Sequence, residues 1–159
     1  NKIEKIVNFF SNNKKLISIF DLPILKFEKD LILENNKTKL IKNFWPYIPP
    51  QSCISIRRKN FIKIINNINY KLFPDIWMDF RIALYLIHVS KNFFILEQNL
   101  TYYRKSANTI SSEFSFLSIP WFKRRMQAHN YVKYFFSKQK IIYQKNLDYF
   151  LTSIMNIFI

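Results

Sequence analysis

Residues 73–104 read FPDIWMDFRIALYLIHVSKNFFILEQNLTYYR, and the reading of this stretch decides the class of fold. Phe73-Pro74-Asp75 is a turn, with Asp75 placed to cap the helix that follows. From residue 76 to 89 only Asp79, Arg81 and His88 interrupt an apolar surface, which predicts a helix buried on most of its faces. Residues 93–96 read as a short apolar strand and residues 100–104 as a second one. A buried helix feeding short strands points to an α/β or α+β domain.

Outward from this centre the same alternation continues. Ile3, Ile6, Val7 and Phe10 recur at i, i+3, i+4, i+7, the stripe of an amphipathic helix. Residues 16–20 form a β-rich run that Pro23 is expected to end or confine to an edge. Residues 26–43 are charged and Asn-rich and read as a loop with at most a helical turn. Pro46, Pro49 and Pro50 then bracket an extended approach to a strand over residues 52–56. Phe61, Ile64, Ile65 and Ile68 show helical spacing, with Asn66, Asn67 and Asn69 fraying the end. Pro120 suits the first turn of a helix reaching about Ser137. A last helix carries Tyr143, Leu147, Phe150, Leu151 and Ile154 on one face.

The 159 residues suit one domain or a piece of one. A hydrophobic share of 49%, with 18% aromatic, can build a core and rules out a disordered tail. Glycine is absent, where average usage would supply roughly 11. That excludes the phosphate loop, the dinucleotide fingerprint and the nucleophile elbow. The one cysteine, Cys53, excludes an intramolecular disulfide framework and a Cys-based zinc site. His88 and His129 cannot build a His-rich metal centre without carboxylates. The formal charge is +15, from 25 Lys+Arg, 19 of them Lys, against 10 Asp+Glu. Together with abundant Ile, Asn and Phe, this matches the coding preference of an AT-rich genome. It equally suits a selected anionic partner: nucleic acid, a membrane surface or a phosphorylated ligand. No secretory leader is expected after Asn1. The uncharged stretch near the end, residues 149–159, is 11 residues, short of the roughly 20 that cross a bilayer. The first residue is not Met and the last six are mostly apolar, so the expectation is a piece of a longer protein.

Four groups of residues could carry chemistry. Asp79 lies in the first turn of an apolar helix, where the helix dipole favours it, yet an unpaired buried carboxylate is strongly unfavourable. It therefore pairs with a cation such as Arg81, or it faces a cleft as a general base. Tyr102-Tyr103-Arg104 closes a strand beside the polar residues 105–111. A guanidinium there can grip phosphate or carboxylate bidentately, or be a plain surface Arg. Ser52, Ser55, Arg57 and Arg58 combine hydroxyls with two guanidinia, a pattern that helix-start chemistry also explains. Lys123, Arg124 and Arg125 beside Trp121 and Phe122 suit a membrane interface or single-stranded nucleic acid, and equally a helix with aromatics inward and cations outward.

Taken in order, these segments resemble the family-2 glycosyltransferases. PPQSCISIRR (49–58) is similar to the family's "P-T-S-x-x-S-x-R-R" strand. FPDIWMDFR (73–81) is similar to its acidic motif, an Asp opening a buried helix with an Arg shortly after. FILEQNLTYYR (94–104) resembles "i-x-E-x-x-L-x-Y-R", followed by Asn108-Thr109-Ile110-Ser111 in place of "N-x-x-S". Asn1-Lys2-Ile3-Glu4 resembles the "P-x-K-L-E" helix just downstream of the metal-binding D-x-D. The resemblance implies that residues 1–115 are the acceptor-side, C-terminal portion of a GT-A domain lacking its nucleotide-binding half. Residues 116–159 form a helical extension. It implies a glycosyltransferase, inactive as this piece alone because the donor half is missing, that moves a sugar from a nucleotide-sugar donor to a glycan or lipid-linked acceptor hydroxyl, with inversion. Surface polysaccharide or glycan synthesis is the implied setting. Asp79 takes the base's place, and Trp77, Arg81, Tyr103, Arg104 and Ser52 are the implied substrate-binding residues. A divalent metal, Mg2+ or Mn2+, is implied with ligands mostly outside this chain. Ser106 and Ala107 replace the "H-G" in which the His can help bind it, and no metal ligand is expected here. Nucleic acid is not favoured as a partner. The expected place is the cytoplasm, at the inner face of the membrane. The rival reading is a non-enzymatic basic module that binds RNA or an anionic membrane surface.

Overall fold

A computed structural model of the chain describes residues 1–26, 31–33, 49–104 and 113–159. They fall into two compact units, Asn1–Ile68 with Met78–Ser106, and Asn69–Trp77 with Ala107–Ile159. The sequence reading divides the chain after residue 115. The helical unit also takes in Asn69–Trp77, because Phe73 packs edge-on against Tyr131 and tilted against Tyr134.

The first unit is α/β. Helix α1 (Lys2–Asn12) is capped by the Asn1 side chain, which accepts the Ile3 N–H. Its Ile6 joins Ile19 and Leu96 in a core cluster, with Phe9, Phe10, Leu16 and Leu100 packed around them. Strand β1 (Ser18–Lys26) is the axis of a four-stranded mixed sheet. It pairs antiparallel with β2 (Leu31–Leu33) through residues 24–26 and with β3 (Ile54–Ile56) through residues 18–20. It runs parallel to β4 (Phe93–Arg104) over its whole length. Helix α2 (Arg58–Asn67) follows β3, and helix α3 (Met78–Tyr85) precedes β4.

Several expectations are corrected by this sheet. Pro23 does not end β1. It falls between the segments bonded to β3 and β2, and on its other side it faces Thr101 of β4 just after a register shift, where an irregular ladder tolerates a missing N–H. Residues 93–104 form one strand rather than two; the shifts in register opposite Leu22 absorb the polar Glu97-Gln98-Asn99 interruption. Residues Gln51–Cys53 form a 3-10 turn, so Ser52 lies ahead of β3 and not within it. Asp75 does not cap α3, which starts three residues later. Within the loop reading of 26–43, residues 31–33 are strand, and the other residues from 27 to 43 lie outside the described residues, as do Pro46 and residues 105–112.

Arg57, one of the two guanidinia in the Ser52–Arg58 cluster, serves the fold. Its Nε donates to Leu16 O at 2.7 Å and one terminal nitrogen donates to Phe10 O at 2.6 Å and Asn13 O at 3.2 Å. The guanidinium thus satisfies carbonyls at the end of α1 and in the connection to β1, and lies 4.8 Å from the centre of the Phe10 ring.

The second unit contains α4 (Ile119–Lys138) and α5 (Leu147–Ile157). Ser118 caps α4 by accepting Trp121 N–H at 3.2 Å, with Pro120 in the first turn as expected. At its other end Ile141 N–H bonds Phe136 O at 2.8 Å and Lys140 N–H bonds Ser137 O at 3.2 Å. This is a Schellman ending, with Lys140 in the left-handed position at φ 56°. Such a position favours glycine, and this chain has none. Lys140→Gly should therefore raise stability by about 1 kcal/mol, read as a higher urea midpoint; an unchanged or lower midpoint would show that the left-handed turn carries no strain.

Candidate functional site

In the first unit, α3 is short and almost wholly apolar. Every residue from Phe80 to Leu86 is buried, on all sides of the helix, and the final turn widens so that Lys91 N–H reaches Leu86 O at 2.9 Å. Asp79, in the first turn, is half-buried. Its Oδ1 accepts the Phe80 N–H at 2.8 Å, which fixes the carboxylate at the positive end of the helix. A group in this setting is neither shut in the core nor fully solvated. Arg81 differs. Only 1% exposed, its side chain is buried.

Strand β4 ends in Tyr103, half-buried, and Arg104, exposed. Two residues before Tyr103, Thr101 enters a polar cluster that sequence reasoning missed. Lys2 Nζ donates to Asp21 Oδ1 at 2.7 Å, to Ser52 O at 2.6 Å and to Thr101 Oγ1. Thr101 in turn donates to Asp21 Oδ2 at 2.6 Å. The ammonium has three donors and all three are used within the protein. The cluster therefore ties the head of α1 to β1, β4 and the 3-10 turn rather than offering a charge to a substrate. Ser52 contributes its carbonyl, and its exposed side chain stands beside this knot. Cys53 lies next to it, its thiol pushed up to about 11 by burial and then by the Asp21 charge, which keeps it protonated and inert. One signal was available: Asp21 is a lone carboxylate in the apolar run 16–25, the same anomaly that singles out Asp79.

Trp77 belongs to the second unit. It is 42% exposed, and the Arg124 guanidinium lies 3.2 Å from its ring centre. Arg124 also lies 3.9 Å from the centre of the Phe114 ring and donates from Nε to Asp75 O at 2.7 Å. One aromatic face of Trp77 is thus occupied by a cation, and the basic run 123–125 is partly spent on the fold. Arg125 likewise grips Asp148 Oδ1, with its Nε at 2.8 Å, and His129 Nε2 lies 2.7 Å from Asp148 Oδ2.

His129 is fully buried, and burial holds its pKa below the ordinary 6.5, the adjoining Asp148 offsetting this in part. The neutral ring therefore donates its Nε2 proton to Asp148. Burial lowers His88 as well, with Lys91 adding to the effect. Because the unfolded chain binds these protons first, stability should hold above neutral pH and decline as pH falls through 6.5. Urea midpoints across this range should show the decline, with a shallower slope in His129→Gln. A midpoint independent of pH there would contradict neutral buried imidazoles.

Compared with family models, curated proteins and solved structures, the chain matches none.

Among the described residues no three His, Cys, Asp or Glu side chains gather into a group able to hold a metal ion. Among them, too, no helix is long and apolar enough to cross a membrane.

Proposed function

We propose that this chain is the acceptor-side part of a family-2 glycosyltransferase, moving a sugar from a nucleotide-sugar donor to a hydroxyl of a glycan or lipid-linked acceptor, with inversion. The observation that carries this reading is the half-buried Asp79 carboxylate at the head of the buried helix α3. As the acceptor oxygen attacks the anomeric carbon, its proton passes to Asp79. The new carbon–oxygen bond forms while the bond from that carbon to the diphosphate breaks, and the electron pair leaves with the diphosphate. Arg104, exposed at the end of β4, is the cation suited to meet that charge. Tyr103 and Ser52, in the same unit, are the remaining candidates for sugar contacts. The donor half, with any ligands for Mg2+ or Mn2+, belongs to sequence outside this chain, and on this reading the piece alone is inactive. The α/β class of the first unit, with its mixed sheet, is consistent with a GT-A portion. The enzyme would work in the cytoplasm at the inner membrane face.

The test is nucleoside diphosphate release by the complete protein from a panel of UDP-, GDP- and dTDP-sugars, with glycan and lipid-linked acceptors. Release that needs Asp79 is the expected result. No release with any donor, or release indifferent to Asp79, overturns the reading.

A further inference from the structure

Helix α5 faces the wrong way for an ordinary surface helix. The side turned to α4 is polar: Asp148 meets Arg125 and His129, Thr152 is buried, and Asn156 Nδ2 donates to Phe122 O at 3.2 Å. The opposite side is the apolar stripe of Leu147, Phe150, Leu151, Ile154 and Phe158, spaced i, i+3, i+4, i+7, i+11. All five are exposed, from 51% at Phe150 to 80% at Phe158. The polar bonds fix this orientation, because turning the helix over would strip Asp148 of both partners.

The charge around the stripe selects what can cover it. Residues 116–159 hold seven Lys and Arg against one acid, and that acid, Asp148, is engaged on the inward side. Lys138, Lys140 and Lys145 are exposed and all lie at or in the connection leading into α5. A second copy would set these like charges against one another. An anionic bilayer offers both an apolar layer for the stripe and negative headgroups for the lysines. We propose that α5 is a membrane-docking helix, lying in the plane of an anionic lipid surface with its Leu147–Phe158 stripe in the acyl boundary and Lys138, Lys140 and Lys145 on the headgroups. The surface is independent of the role of Asp79, and its test reads no activity.

The test is co-sedimentation of the chain with vesicles of phosphatidylcholine alone or mixed with phosphatidylglycerol. Binding to the anionic vesicles, weakened by salt, is expected, with little to the neutral ones. Leu151→Glu and Ile154→Glu replace exposed side chains and should cut partitioning at least tenfold. Lys138, Lys140 and Lys145 changed together to Gln, which leaves the stripe intact should the glutamates disturb folding, should cut it about a hundredfold. Equal binding to both vesicle types, no binding to either, or a soluble dimer that the glutamates dissolve would each overturn the proposal.

Discussion

Asp21→Asn should lower the stability of the chain by about 3 kcal/mol, a large part of the 5–15 kcal/mol that holds a typical domain together. Asp21 is fully buried and binds Lys2 and Thr101 through its two oxygens. The amide keeps the shape but removes the charge that holds the ammonium, and it cannot accept from both partners as the carboxylate does. Lys2 is a quarter exposed and can swing toward water, which keeps the loss at the lower end for a broken buried pair. Lys2→Met should cost more. It leaves a fully buried carboxylate facing, among the described residues, the Thr101 hydroxyl alone, and Asp21 has no route to solvent. Urea denaturation of both variants reads this directly. Losses under about 0.5 kcal/mol in both would show that the pair holds nothing together.

The buried helix at the centre of the first unit was legible because its composition is apolar on every side, and a single carboxylate in it stands out. The same logic flags Asp21, but no local pattern names its partners, which come from α1 and from β4, 19 and 80 positions away. Pro23 misled for a related reason. Proline's missing donor matters only where a neighbour needs it, and the gap between β2 and β3 is a tertiary fact. Arg57 was legible as a cation but not as one that binds carbonyls of the fold, since spacing does not tell such a guanidinium from one that binds a ligand. On α5 the periodicity correctly places Leu147, Phe150, Leu151 and Ile154 together. It cannot tell which way the face points, and three polar contacts to α4 settle that.

Asp79→Asn should reduce sugar transfer by about a hundred- to ten-thousandfold. The amide keeps an oxygen able to accept the Phe80 N–H at the head of α3, so the helix start and the fold should survive. What it loses is the capacity to take a proton from the attacking hydroxyl. Donor binding, which draws on other groups, should stay within a small factor. Asp79→Glu keeps the base but moves it by one methylene, and it should retain more turnover than Asn. A group that merely stabilised the helix through its charge in the first turn would leave turnover per folded molecule unchanged in both variants.

The most direct measurement is therefore single-turnover transfer by the complete protein at saturating donor, comparing Asp79 with Asn at that position while circular dichroism confirms an unchanged fold. Transfer that collapses as donor affinity persists is the predicted result. Transfer at the parental rate would contradict the assignment of Asp79 as the base.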